Sequence, residues 1–100
     1  MVDLRAKPFT LDDEAVEWVE RTAESLTLEE KIGQLFINLN VSFDEGYLDN
    51  VVTNLHVGGI RYMGADSAAV QKHIRYAQSK AKVPLLVASN PEMGGAGSAD

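Results

Sequence analysis

Three short apolar runs dominate the pattern of this chain: Gln34–Leu39 (QLFINL), Gly59–Met63 (GIRYM) and Pro84–Ser89 (PLLVAS), with starts about 25 residues apart. Between the first two, Leu48, Val51, Val52 and Leu55 recur at helical spacing and stop at Gly58-Gly59. Between the second and third, Val70, Ile74, Ala77 and Ala81 form another helical stripe, opened by Ser67 as its expected N-cap and prevented from continuing by Pro84. Apolar strands that alternate with amphipathic helices bury their surfaces as a parallel sheet covered by helices. The spacing suits the shortest strand–helix units. The expected fold class is α/β, with a parallel sheet.

Two helices are expected ahead of the first strand. Thr10 with Asp13 resembles a capping box, and Val16, Val19, Ala23 and Leu26 then recur at helical spacing, with Trp18 off the stripe. Thr27-Leu-Glu-Glu30 is a full capping box and opens a short helix that ends near Gly33. One hundred residues allow a single domain at most, here taken as residues 1–100.

Charge and composition exclude several function classes. Residues 1–30 hold nine acids against three bases and carry the whole net charge of −6. An acidic N-terminal face over a neutral body gives no footprint for nucleic acid or an anionic membrane. No apolar run reaches the roughly 18 residues that a bilayer requires, and MVDLRAKPFTLDDE lacks the apolar core of a signal peptide. Cysteine is absent, which removes disulfide and thiol chemistry. The expected location is the cytoplasm. No histidine pair has metal-ligand spacing, and Gly94-Gly95-Ala-Gly97 matches neither a P-loop nor a dinucleotide fingerprint. No metal or cofactor is expected.

In a right-handed strand–helix series all strand C-terminal ends point to one side, where ligands bind. The sequence puts Asn38 and Asn40 at the first such exit and Arg61, Gly64 and Asp66 at or after the second. Asn90, Glu92, Gly94 and Gly95 follow the third. Each polar residue has a plainer reading beside the ligand one. Asn90-Pro91 is a common turn start, Glu92 suits a solvated or capping acid, and Arg61 suits an ion pair with a neighbouring acid. His56 stands at a helix end, where a cation suits the dipole. His73 lies beside the apolar stripe of its helix, as surface or packing.

Leu26–Phe36 (LTLEEKIGQLF) strongly resembles the opening of the N-terminal domain of glycoside hydrolase family 3. Val57–Ile60 (VGGI) resembles the second-strand segment of that domain, and VQKHIRYAQSKAKVP the helix leading into its third strand. LLVASNPEMGG falls where members carry an aspartate, one residue, a glutamate and paired glycines. The resemblance covers roughly residues 24–95 and implies the first three strand–helix units of a parallel (β/α)8 barrel, cut after the third strand. Members hydrolyse β-linked sugars with retention, commonly glucosides or N-acetylglucosaminides, using a nucleophile and an acid/base on opposite sides of the bond. Neither of those residues has a counterpart here, so the chain alone is expected to be inactive. Carry-over is limited to sugar binding. Asn90 stands for the family's aspartate and Glu92 for its glutamate, with Arg61 added from its strand-exit position. An amide both donates and accepts where a carboxylate only accepts, which puts the identity of the sugar in question. The expected partners are a carbohydrate substrate and either the remainder of the barrel or a second copy. A different class of reading is a small standalone α/β module, flavodoxin- or receiver-like, that binds without catalysis.

Overall fold

The computed structural model describes residues 2–91. Helix α1 spans Asp13–Ser25 and helix α2 Leu28–Gly33. Strand β1 (Ile37–Leu39) leads into helix α3 (Glu45–Asp49), which continues as a π-helical turn over Asn50–Asn54. Strand β2 (Gly59–Arg61), helix α4 (Ser67–Lys80) and strand β3 (Leu86–Ala88) complete the order. The strands pair in parallel in the order β1-β2-β3, with Asn38, Ile60 and Val87 in register. The α/β class is borne out, although each strand is three residues long and shorter than the apolar run that announced it.

Two helix starts differ from expectation by one or two residues. Asp12, not Thr10, caps α1, its Oδ1 accepting from the Ala15 N–H at 2.9 Å. Thr10 has a left-handed backbone (φ 51°), and its hydroxyl turns back to donate to the Phe9 carbonyl. Likewise Asp66, not Ser67, caps α4 by accepting from Ala69 N–H at 3.0 Å. In both places an aspartate one or two positions from the expected cap supplies the stronger acceptor for the free N–H groups of the first turn. The box at α2 forms as read: Thr27 Oγ1 accepts from Glu30 N–H, and Glu30 Oε2 accepts from Thr27 N–H at 2.8 Å. Those bonds, and then Lys82 Nζ at 3.1 Å, hold the Glu30 carboxyl below its ordinary pKa. Along α1, Val16 is buried, Val19 and Leu26 are half-buried, and Ala23 and Trp18 are exposed.

The core lies between the sheet and the helices that follow β1 and β2. Val51, Val52, Val57, Ile60, Ala77 and Leu85 form one cluster, with Tyr47 and Ala81 against it. The π-helical turn has a local cause. The Thr53 hydroxyl donates to the Asp49 carbonyl at 2.5 Å, taking the acceptor that the α-helical ladder would use. The ladder then slips by one residue, and Leu55 N–H reaches Asn50 O. His56 ends the segment in the left-handed region (φ 56°), a position that favours glycine. Tyr76 ties α4 to this region by donating to Asp49 Oδ1 at 2.8 Å, which pushes the phenol up to about 12.

Backbone-to-backbone packing seats β2. Gly58 N–H donates to Gly33 O at 3.1 Å and Phe36 O at 3.0 Å. A Cβ on Gly58 would collide with the Gln34 carbonyl, and one on Gly33 with the carbonyls of Leu55 and His56. Gly58→Ala and Gly33→Ala are therefore each expected to lower the unfolding free energy by about 2 kcal/mol or more, measured as a reduced urea midpoint. His56→Gly acts in the opposite direction. It removes the penalty of an L-residue at positive φ against a smaller cost in chain entropy, and should raise stability by roughly 0.5–1 kcal/mol in the same titration.

Candidate functional site

Side chains alternate across a strand, so the register divides this sheet into two faces. Asn38, Ile60 and Val87 share the face turned to the helices, and Ile60 is fully buried there. Ile37, Gly59 and Leu86, then Leu39, Arg61 and Ala88, share the other face. That second face is open among the described residues: Ile37, Leu39 and Leu86 are 56%, 53% and 68% exposed. It has the character of a buried surface without a covering layer.

Arg61 stands on the open face at the exit of β2, flanked in register by Leu39 and Ala88. It is half-buried, and its Nε is fully buried without a hydrogen-bond partner among the described residues. The ion pairs among those residues are Arg5–Asp13, Arg21–Glu17 and Lys82–Glu30, so the neighbouring-acid reading of Arg61 finds no partner there. Asn90 is half-buried, two residues past Ala88 and hence at the exit next to that of Arg61. The structure thus brings Arg61 and Asn90 to adjacent strand exits. Glu92 lies outside the described residues, as do Gly94 and Gly95.

Asn38, within β1, and Asn40, just past it, do not face the open side, contrary to the expectation that they present polar groups to a ligand. Asn38 Nδ2 donates to Asn40 Oδ1 at 2.8 Å and to the Tyr47 hydroxyl at 3.0 Å. Asn40 Nδ2 lies 2.8 Å from His73 Nε2 on α4. Asn40 is 1% and His73 3% exposed, so His73 is packing rather than surface. Burial holds the His73 pKa below its ordinary value. This inner polar chain was missed at the sequence level, yet two signals for it exist. Position 40 continues the alternation through Asn38 toward the helices, and His73 falls three residues from Val70 and four from Ala77, both buried.

Two concavities flank these groups. A groove of about 520 Å³ runs along the free side of β1, bounded by Ile32, Phe36, Ile37, Leu39 and Leu55. A cavity of about 500 Å³ lies between α3 and α4, with Asp44, Glu45, Lys72, His73 and Tyr76 in its wall. No group of three or more metal-ligating side chains gathers among the described residues. No helix there is long and apolar enough to cross a membrane. The open face offers a guanidinium and an amide, which bind and orient hydroxyl or anionic oxygens.

No family model matches the chain. Over 94 residues, 94% of its length, it is 41% identical to a β-N-acetylglucosaminidase/β-glucosidase of Cellulomonas fimi. It spans 17% of that relative's length. In backbone it superposes over 97% of its length on β-glucoside phosphorylase BglX bound to 2FGlc, with a TM-score of 0.77 and 29% identity, covering 18% of that chain. A second structure of β-glucoside phosphorylase BglX gives a TM-score of 0.73 at the same identity and covers 17% of that chain. Together with the ordered motifs from Leu26 to Gly95, these likenesses bear out the resemblance to the N-terminal domain of glycoside hydrolase family 3, the chain matching under a fifth of each relative's length.

Proposed function

We propose that this stretch supplies the first three strand–helix units of a (β/α)8 barrel in a retaining enzyme acting on β-linked glucosides or N-acetylglucosaminides. The observation that carries the reading is the 41% identity to the C. fimi enzyme across 94% of the chain. The open, apolar sheet face supports it, since such a face needs the rest of a barrel to cover it. A standalone binding module is disfavoured on the same ground, because the likeness is to much longer chains.

In this reading Arg61 and Asn90 bind sugar rather than break bonds. The Arg61 guanidinium donates to ring or substituent oxygens from the exit of β2. The Asn90 amide donates to one hydroxyl and accepts from another at the next exit, and Glu92 adds an acceptor beyond it. The nucleophile and acid/base lie outside this stretch, so the chain alone is inactive. Uncovered, its open face drives self-association. A second reading concerns the acceptor. The structural neighbours are named as phosphorylases, so phosphate can take the place of water in resolving the glycosyl intermediate.

The test is a chimera in which these residues replace the matching stretch of the C. fimi relative, assayed with aryl β-glucoside and aryl β-N-acetylglucosaminide, with and without phosphate. Turnover by the chimera and none by the 100-residue chain is expected, and turnover by the isolated chain would sink the proposal. A free sugar as product indicates hydrolysis, whereas a sugar 1-phosphate indicates phosphorolysis. Within the chimera, Asn90→Ala should raise KM about 3–10-fold and Arg61→Ala about 10–100-fold, the ranges for a neutral and a charge-assisted hydrogen bond. An unchanged KM in both would remove these residues from the site.

A further inference from the structure

The buried chain Tyr47–Asn38–Asn40–His73 joins α3 and α4 through the end of β1, and the orientation of its two amides sets the hydrogen-bond directions. Both hydrogens of the Asn38 amide are spent, one on Asn40 Oδ1 at 2.8 Å and one on the Tyr47 hydroxyl at 3.0 Å. The Tyr47 hydroxyl donates in turn to Leu39 O at 3.4 Å and accepts from Val41 N–H at 3.3 Å. With its oxygen facing Asn38, Asn40 turns its NH2 to His73 Nε2 at 2.8 Å. Nε2 must then accept, which puts the ring proton on Nδ1. That nitrogen is buried with no partner among the described residues. An orphaned buried N–H is a cost that a purely apolar packing of the same space avoids.

The backbone of Asn40 shows what the chain holds in place. Its N–H donates to Arg61 O at 3.0 Å, so the residue gripped by His73 is also the one that ties the exit of β1 to the exit of β2. We infer that His73 is a positioning residue, which acts through Asn40 to fix the strand exit carrying Arg61. The inference rests on the proposed role of Arg61 in sugar binding.

One proton undoes the arrangement. A charged imidazole carries N–H at both nitrogens, and Nε2–H would then face the Asn40 NH2, donor against donor. The chain must open, or both amides must turn over, with Asn40 Oδ1 toward the ring and Tyr47 donating to Asn38 instead of Leu39 O. The charged and titratable groups around His73 are Asp44 and Glu45 at the start of α3 and Lys72 and Tyr76 on α4. The β1 side offers the two uncharged amides, and Phe43 stands edge-on to the ring at 4.7 Å between centroids. Burial is the cause that lowers the pKa. The stabilising effect of neutral His73 is therefore complete above the ordinary value of 6.5 and is lost as pH falls through the lower folded value.

The chain has two histidines, so with His56→Asn as background the 15N signals of the His73 ring stand alone. Near neutral pH the proton is expected on Nδ1. The exchange protection of the Asn40 backbone N–H should fall on the order of tenfold as the ring becomes charged. His73→Gln, which keeps an acceptor but does not titrate, should hold that protection at every pH, and His73→Phe should lose it at every pH. A proton on Nε2, or Asn40 protection that ignores both pH and His73→Phe, overturns the inference. In the chimera, KM should rise below the His73 pKa, and His73→Gln should flatten that profile. Protection that follows the expectation beside a KM that does not would leave the positioning intact and overturn the sugar-binding role of Arg61.

Discussion

The close approach of two backbone segments at Gly33 and Gly58 is the contact on which this architecture depends. Gly58 N–H reaches both Gly33 O and Phe36 O, while the Gln34 side chain donates to His56 O at 3.0 Å. With β-carbons excluded at both positions, the end of α2 lies directly on the turn that enters β2. That turn sets where Gly59 pairs with Ile37, and so the register of every residue downstream. The helix-side cluster around Ile60, the inner polar chain and the placement of Arg61 all follow from that one pairing.

The sheet is asymmetric in the way its energetics demand. One face is closed by α3, the π-helical turn and α4, and it buries Val51, Val52, Val57, Ile60, Ala77 and Leu85 together. The other carries residues of the same apolar kind with no layer over them among the described residues. Polar groups divide accordingly. Asn38, Asn40 and His73 satisfy one another on the closed side, with a single nitrogen left over, whereas Arg61 and Asn90 stand at exits of the open side. In the proposed reading a ligand meets the second set, and the first set supports it.

Much of this was readable from residue order. The period-25 alternation of apolar runs and helical stripes announced the parallel sheet, because parallel strands need a long crossover, usually a helix. The Thr27–Glu30 box was legible because its bonds are local. Strand lengths were not, since pairing depends on neighbours far along the chain. The competition between Asp12 and Thr10, and between Asp66 and Ser67, turned on backbone angles that the sequence does not display. The placement of Arg61 and Asn90 at adjacent exits was legible because strand exits follow from topology. The Asn40–His73 contact joins residues 33 positions apart and was hidden for that reason, although the parity of position 40 pointed to it.

The slipped helical turn at Asn50–Asn54 bears on how such sequences diverge. A turn that closes one residue late stores an extra residue within a helix without displacing its ends. A relative lacking one residue between Asp49 and Leu55 keeps the same entry to β2 by running that segment as an ordinary α-helix. An alignment of this chain with such a relative would place a single-residue gap within the helix. Length variation at this point reads as a change of helical pitch, with no change of fold.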